Sequence, residues 1–96
     1  MEGGWVYIMT NWAFGSFYVG VTNDLTRRVR AHKDCVGEGH TKRYRLKKLV
    51  FAERHEAILA AIQREKNIEH WPREWKIGLI MAENPNWNDL FDGFSG

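Results

Sequence analysis

Apolar and polar residues alternate in two short runs near the start of the chain. Trp5–Thr10 (Trp-Val-Tyr-Ile-Met-Thr) is a β-prone run, and Phe17–Val21 is a second. Asn11–Ser16 between them holds turn residues, with Gly15-Ser16 the favoured reversal, so the two read as a hairpin with a long loop. Thr22 or Asn23 is placed to cap a helix beginning near Asp24, in which Leu25, Val29 and His32 share one face. Gly37 and Gly39 break that helix and open a basic loop, Gly39-His40-Thr41-Lys42-Arg43-Tyr44. Lys48–Ala52 reads as a third strand centred on Leu49, Val50 and Phe51. Glu56–His70 carries the strongest helical pattern. The chain then bends at Trp71, Pro72 opens a further helix over Arg73–Ala82, and Asn84-Pro85 ends it. Trp87, Leu90, Phe91 and Phe94 form a short helix or turn that packs back on the core. The order β-β-α-β-α-α predicts an α+β fold with a small antiparallel sheet.

Composition narrows the class. A chain of 96 residues is expected to be one domain, residues 1–96, with a core of about residues 4–82 and a packing segment at 83–96. Hydrophobic residues at 44% and charged residues at 27% exclude a disordered chain. The single cysteine, Cys35, excludes an internal disulfide framework and a cysteine-cluster zinc site. No apolar run approaches the ~20 residues of a membrane helix. The opening Met-Glu-Gly-Gly-Trp lacks the order of a signal peptide, so a cytoplasmic protein is expected.

The net charge of +2 hides an uneven distribution. Residues 24–48 hold nine basic and three acidic groups, whereas residues 49–96 hold five basic and eight acidic. A basic middle suits phosphate contacts, and a solvated surface accounts for it equally well.

Five positions carry candidate chemistry. Glu65 projects among Ile58, Ala61, Ile62 and Ile68 on the long helix, where an unpaired carboxylate is costly. It is either a core Glu paired with an Arg or backbone group, or a metal ligand or catalytic group at the floor of a cleft. Glu69 projects near the same face, but close enough to the helix end to reach water. Tyr7 lies mid-strand on the side opposite Val6 and Ile8, and Tyr18 shares its side with Gly20, where a missing side chain admits close approach. The two phenols are packing aromatics or parts of a site. Arg28 and His32 share a helix face.

Val6-Tyr7-Ile8 followed by Tyr18-Val19-Gly20 resembles the two tripeptides that name the GIY-YIG nucleases. Thr22, Leu25, Arg28 and His32 continue that family's second motif and helix, and Glu65 falls at its metal-binding glutamate. Thr41-Lys-Arg-Tyr44, Leu49-Val50 and Trp71 through Ile80 are similar to the small stand-alone YhbQ-like members. The resemblance implies a three-stranded antiparallel sheet flanked by helices and hydrolysis of phosphodiester bonds with one Mg²⁺ or Mn²⁺ on Glu65. Tyr7 would activate or orient the attacking water, Tyr18 would line the site and contact the phosphate, and Arg28 would stabilise charge on it. His32 matches a position that holds His or Tyr. Lys76 takes the place of an Asn found in many members, and Asn84 lies too far along to replace it.

The implied substrate is DNA, with RNA not excluded, and the implied setting is DNA repair or recombination. Arg27, Thr41, Lys42, Arg43, Lys47 and Lys76 are the expected nucleic-acid contacts. Lacking a second DNA-binding domain, the chain is expected to read structure, cut with low specificity or borrow a protein partner. The alternatives are a non-catalytic or partner-dependent nucleic-acid-binding module of the same fold, and an interaction protein using exposed tryptophans.

Overall fold

A computed structural model describes residues 3–13, 15–34 and 46–91. The expected basic loop, with Thr41, Lys42 and Arg43, lies outside the described residues, as does Phe94. Strands β1 (Gly4–Thr10), β2 (Phe17–Thr22) and β3 (Lys48–His55) form one antiparallel sheet in the order β2-β1-β3. Helices α1 (Leu25–Lys33), α2 (Ile58–Glu69) and α3 (Arg73–Glu83) flank it, so the fold is α+β, as the element order predicts.

The central strand divides two cores by simple alternation. Tyr7 and Met9 pack with Leu25 and Val29 of α1, Leu46, Leu49 and Phe91 on one face. Val6 and Ile8 pack on the other with Val19, Ala61 and Ile68 of α2, Ile80 of α3 and Trp87. Val6, Tyr7, Ile8 and Met9 are all fully buried. One irregularity lets β3 serve both cores. Ile8 pairs with Phe51 but Met9 pairs with Leu49, so the strand bulges at Val50. Val50 and Phe51 therefore both join the α2 side while Leu49 joins the α1 side.

Several boundaries differ from the expected ones for local reasons. The cap of α1 is Asp24 itself, whose carboxylate accepts from the Arg27 N–H at 3.2 Å. Thr22 instead accepts from the Asp24 N–H at 3.1 Å and shapes the entry. Strand β3 runs three residues past Ala52, because Glu53, Arg54 and His55 find backbone partners at Val6, Trp5 and Gly4. Glu53 also accepts from Arg64 of α2 at 3.0 Å and pairs with His55 at 2.7 Å. Glu56 and Ala57 are consumed by the turn into α2, with Ala57 extended.

The segment after α3 wraps the outer edge of β3. Asn84, 5% exposed, donates to the Val50 carbonyl at 3.1 Å and to the Asn88 carbonyl at 2.9 Å, and accepts from the Asn88 N–H at 3.0 Å. Trp87 takes a positive φ of 56° and stacks on Phe17. The Asp89 carboxylate accepts from the Leu49 and Phe91 N–H groups and pairs with Lys33. The chain thus passes from the α2 side to the α1 side around the bulged strand. Phe91 closes the second core beneath the Arg30 and Lys33 cations.

Asn84→Ala removes the donor for a buried carbonyl and both ties to Asn88, and is expected to lower unfolding free energy by about 2–4 kcal/mol. Urea denaturation checks this; a loss below about 1 kcal/mol would contradict the assigned role.

Candidate active site

Four of the five residues expected to carry chemistry converge on the α1 face of the sheet. The register sets Tyr7 opposite Gly20. A Cβ on Gly20 would stand 2.6 Å from the Tyr7 phenol oxygen and 2.9 Å from the Tyr18 ring, so the bare backbone is what lets the Tyr7 ring lie across β2. Tyr18, two residues away on the same face, has its ring 6.2 Å from that of Tyr7. Helix α1 delivers Arg28 and His32 on successive turns. The Tyr7 hydroxyl and His32 Nε2 are 3.0 Å apart, and the imidazole centre lies 5.2 Å from the Tyr18 ring.

Burial governs the protonation of this group. It pushes the Tyr7 phenol up to about 12, against the opposing pull of the Arg28 guanidinium. It pushes His32 down to about 4, with the Arg28 charge acting in the same direction. At neutral pH both groups are uncharged. Tyr7 and His32 share a hydrogen bond, while the Arg28 guanidinium, which can only donate, draws on the phenol oxygen. Arg28 is itself solvent-facing. With Thr22, Asn23, Asp24, Arg27 and Ala31 it lines a cavity of about 320 Å³.

Glu65 comes from the other side of the sheet. Its carboxylate is pushed up to about 7 by burial and by the adjoining Glu69 carboxylate, while Lys66 and His70 pull it down. Among the described residues no hydrogen bond or ion pair joins it to Tyr7, Tyr18, Arg28 or His32. Between the two faces lies β2, an edge strand. A cleft of about 260 Å³ straddles that edge, lined by Phe17, Tyr18 and Val19 of the strand, Glu69 of α2 and Lys76 of α3. Tyr18 thus belongs both to the aromatic group and to the cleft lined by Glu69 of α2.

Of the expected nucleic-acid contacts, Arg27 lines the α1 cavity, Lys76 lines the edge cleft and Lys47 is exposed. Thr41, Lys42 and Arg43 lie outside the described residues. Asn84 is engaged at the edge of β3 and takes no part here. Sequence reasoning passed over Glu69 as a partner; its i, i+4 spacing from Glu65 was the available signal.

Residues 3–77 match the model of the GIY-YIG catalytic domain. The chain belongs to the GIY-YIG family. It is 35% identical over 80 residues to the UPF0213 protein of Staphylococcus aureus strain Mu3, covering 83% of this chain and 96% of that protein. The UPF0213 protein SA0446 of strain N315 matches equally well. The solution NMR structure of the UPF0213 protein BH0048 from Bacillus halodurans aligns over 91% of this chain and 92% of that one, with a TM-score of 0.55 and 24% identity, and has the same fold. This is a small GIY-YIG protein of the stand-alone type. The GIY-YIG domain is that of a nuclease family whose members act on DNA and generally use divalent metals. Among the described residues no helix is long and apolar enough to cross a membrane.

A divalent cation fits the donor set. Glu65 and Glu69 lie one helical turn apart, and the Glu69 carboxylate adds to burial in raising Glu65, a repulsion that a bound cation would relieve. Mg²⁺ characteristically takes one or two carboxylates and fills its remaining positions with water and phosphate oxygens. Among the described residues no group of three or more His, Cys, Asp or Glu side chains is placed for a metal.

The His32 imidazole is expected to titrate near pH 4, well below the ~6.5 of a free imidazole, as followed by NMR. The unfolded chain takes up this proton first. The contribution of His32 to stability is therefore complete above about pH 6.5 and is lost as pH falls toward 4.

Proposed function

We propose that the chain is a divalent-metal-dependent endonuclease that hydrolyses phosphodiester bonds in DNA, with structure-selective or low sequence specificity. The observation that carries this reading is the Tyr7–His32–Arg28–Tyr18 group, assembled on the strand and helix that bear the family's motifs. A single domain, 1–96, does this work, and a protein partner is the route by which greater specificity would enter. A role in DNA repair or recombination follows if the substrate is a branched or damaged duplex.

Each residue suits a definite task. Arg28, charged at every working pH, faces both the phenols and an open cavity, which places a donor fork where charge grows on a phosphate. The Tyr7 hydroxyl, hydrogen-bonded to His32, orients the attacking water. As water gives up a proton to that oxygen, the phenol passes its own to His32 Nε2. At pH 7 a free phenolate would be too scarce to serve, whereas a neutral imidazole in contact is a ready acceptor. An incoming phosphate offsets the Arg28 charge that depresses His32, and so raises its basicity when substrate is bound. Tyr18 walls the phosphate between the two clefts. Glu65, with Glu69 beside it, would hold Mg²⁺ or Mn²⁺. The bound ion supplies Lewis-acid polarisation and neutralises charge on the phosphate.

A cleavage panel of duplex, single-stranded, nicked, flapped and branched DNA, plus RNA, tests this with Mg²⁺, Mn²⁺ or EDTA. At least one DNA should be cut with metal and none in EDTA. Glu65→Gln should cut that substrate slower by roughly two orders of magnitude or more, at an unchanged melting temperature. Glu65 is separated from the phenols by the edge of β2, and this favours one competing reading, a nucleic-acid-binding module. No cleavage by the wild type, with Glu65→Gln altering stability alone, would establish it.

Arg27, Lys47, Lys76, Thr41, Lys42 and Arg43 are proposed to contact the phosphate backbone. Affinity for DNA should then fall steeply between low and moderate salt, and Arg27→Ala should reduce the salt slope by about one. Affinity indifferent to salt would rule this surface out.

A further inference from the structure

The turn joining β1 to β2 displays an indole that the fold does not use. Trp12 is 66% exposed, although a buried Trp would contribute more apolar area than almost any other side chain. Its backbone is nonetheless tightly held. Asn11 Oδ1 accepts from the N–H groups of Trp12, at 2.8 Å, and of Ser16, at 3.0 Å. The Trp12 carbonyl accepts from the Gly15 N–H at 2.9 Å and from the Thr10 hydroxyl at 2.8 Å. Arg73 of α3 donates to the Gly15 carbonyl at 2.6 Å and ties the turn to the body of the protein. An aromatic presented on so constrained a backbone loses little conformational freedom when it binds.

The turn also adjoins the edge cleft. The Arg73 guanidinium lies 4.3 Å from the centre of the Phe17 ring, and Phe17 lines that cleft with Tyr18 and Lys76. Three residues separate Gly15 from Tyr18, roughly 10 Å of extended chain. That is the rise of about three stacked nucleotides. Arg73 and Lys76 supply positive charge along the way.

Building on the nuclease reading, we propose that Trp12 is a stacking platform for an unpaired nucleobase of the bound strand, so that the protein favours substrates with single-stranded character close to the cut. Inside a duplex the faces of the bases are covered by their neighbours, and an indole can stack only on a base that is free of them. Every base has such a face, so the resulting preference is for unpairedness and not for sequence.

Fluorescence anisotropy in EDTA tests this apart from catalysis, using a labelled single-stranded oligonucleotide and the blunt duplex of the same sequence. Trp12→Ala in the full chain should weaken single-strand binding by roughly five- to hundredfold and change duplex binding less than about twofold. Trp12→Phe, which keeps a ring, should recover most of the loss. Unchanged single-strand affinity in Trp12→Ala would overturn the proposal, as would an equal loss on both probes or a Trp12→Phe variant as weak as Trp12→Ala. If the wild type cuts DNA and Trp12→Ala binds as it does, this inference alone fails. If the wild type neither binds nor cuts any nucleic acid, the nuclease reading fails and this inference with it.

Discussion

The Tyr7 ring lies against bare backbone at Gly20, and the rest of the site depends on that contact. Tyr7 is fully buried in the middle of the central strand, yet its hydroxyl must reach the helix packed over the sheet. It does so by crossing the neighbouring strand at the one position that has no side chain. With the ring so laid, the phenol oxygen meets His32 and Arg28 from one helix face, and Tyr18 closes the third side. Any side chain at position 20 would have to displace the group on which the proposed chemistry turns.

The same contact explains why so much of this arrangement was legible in the chain. Strand alternation puts Tyr7 away from Val6 and Ile8, and Tyr18 alongside Gly20; helix periodicity puts Arg28 under His32. These local rules, applied to a short hairpin and the helix following it, leave little freedom in assembly. The less legible features depend on tertiary partners. Glu53, Arg54 and His55 extend β3 only because β1 has free backbone opposite them. The bulge at Val50 appears when two cores compete for Leu49, Val50 and Phe51. Glu69 is open to water, as its place near the helix end predicts, but the cleft it lines with β2 and α3 exists only once those elements are assembled. Glu65 stands out by its position among apolar neighbours, but the pattern cannot say that it lies on the opposite side of the sheet from the phenols.

The two edges of the sheet are used differently. The free side of β2 is left open between layers, and there groups from opposite faces meet: Tyr18 from one, Glu69 and Lys76 from the other. The free side of β3 is occupied by the protein's own tail, with Asn84 and Asp89 taking up the main-chain groups of Val50 and Leu49. Lys33 links this tail to α1, whose other residues line the site.

That second arrangement bears on how the chain tolerates shortening. Removing everything after Glu83 would do more than empty the places of Trp87 and Phe91. It would bare the hydrogen-bonding groups of a bulged, largely apolar strand and offer them as a template for another copy. Truncated forms should therefore self-associate through that strand, and tags or fusions are better carried at the amino end.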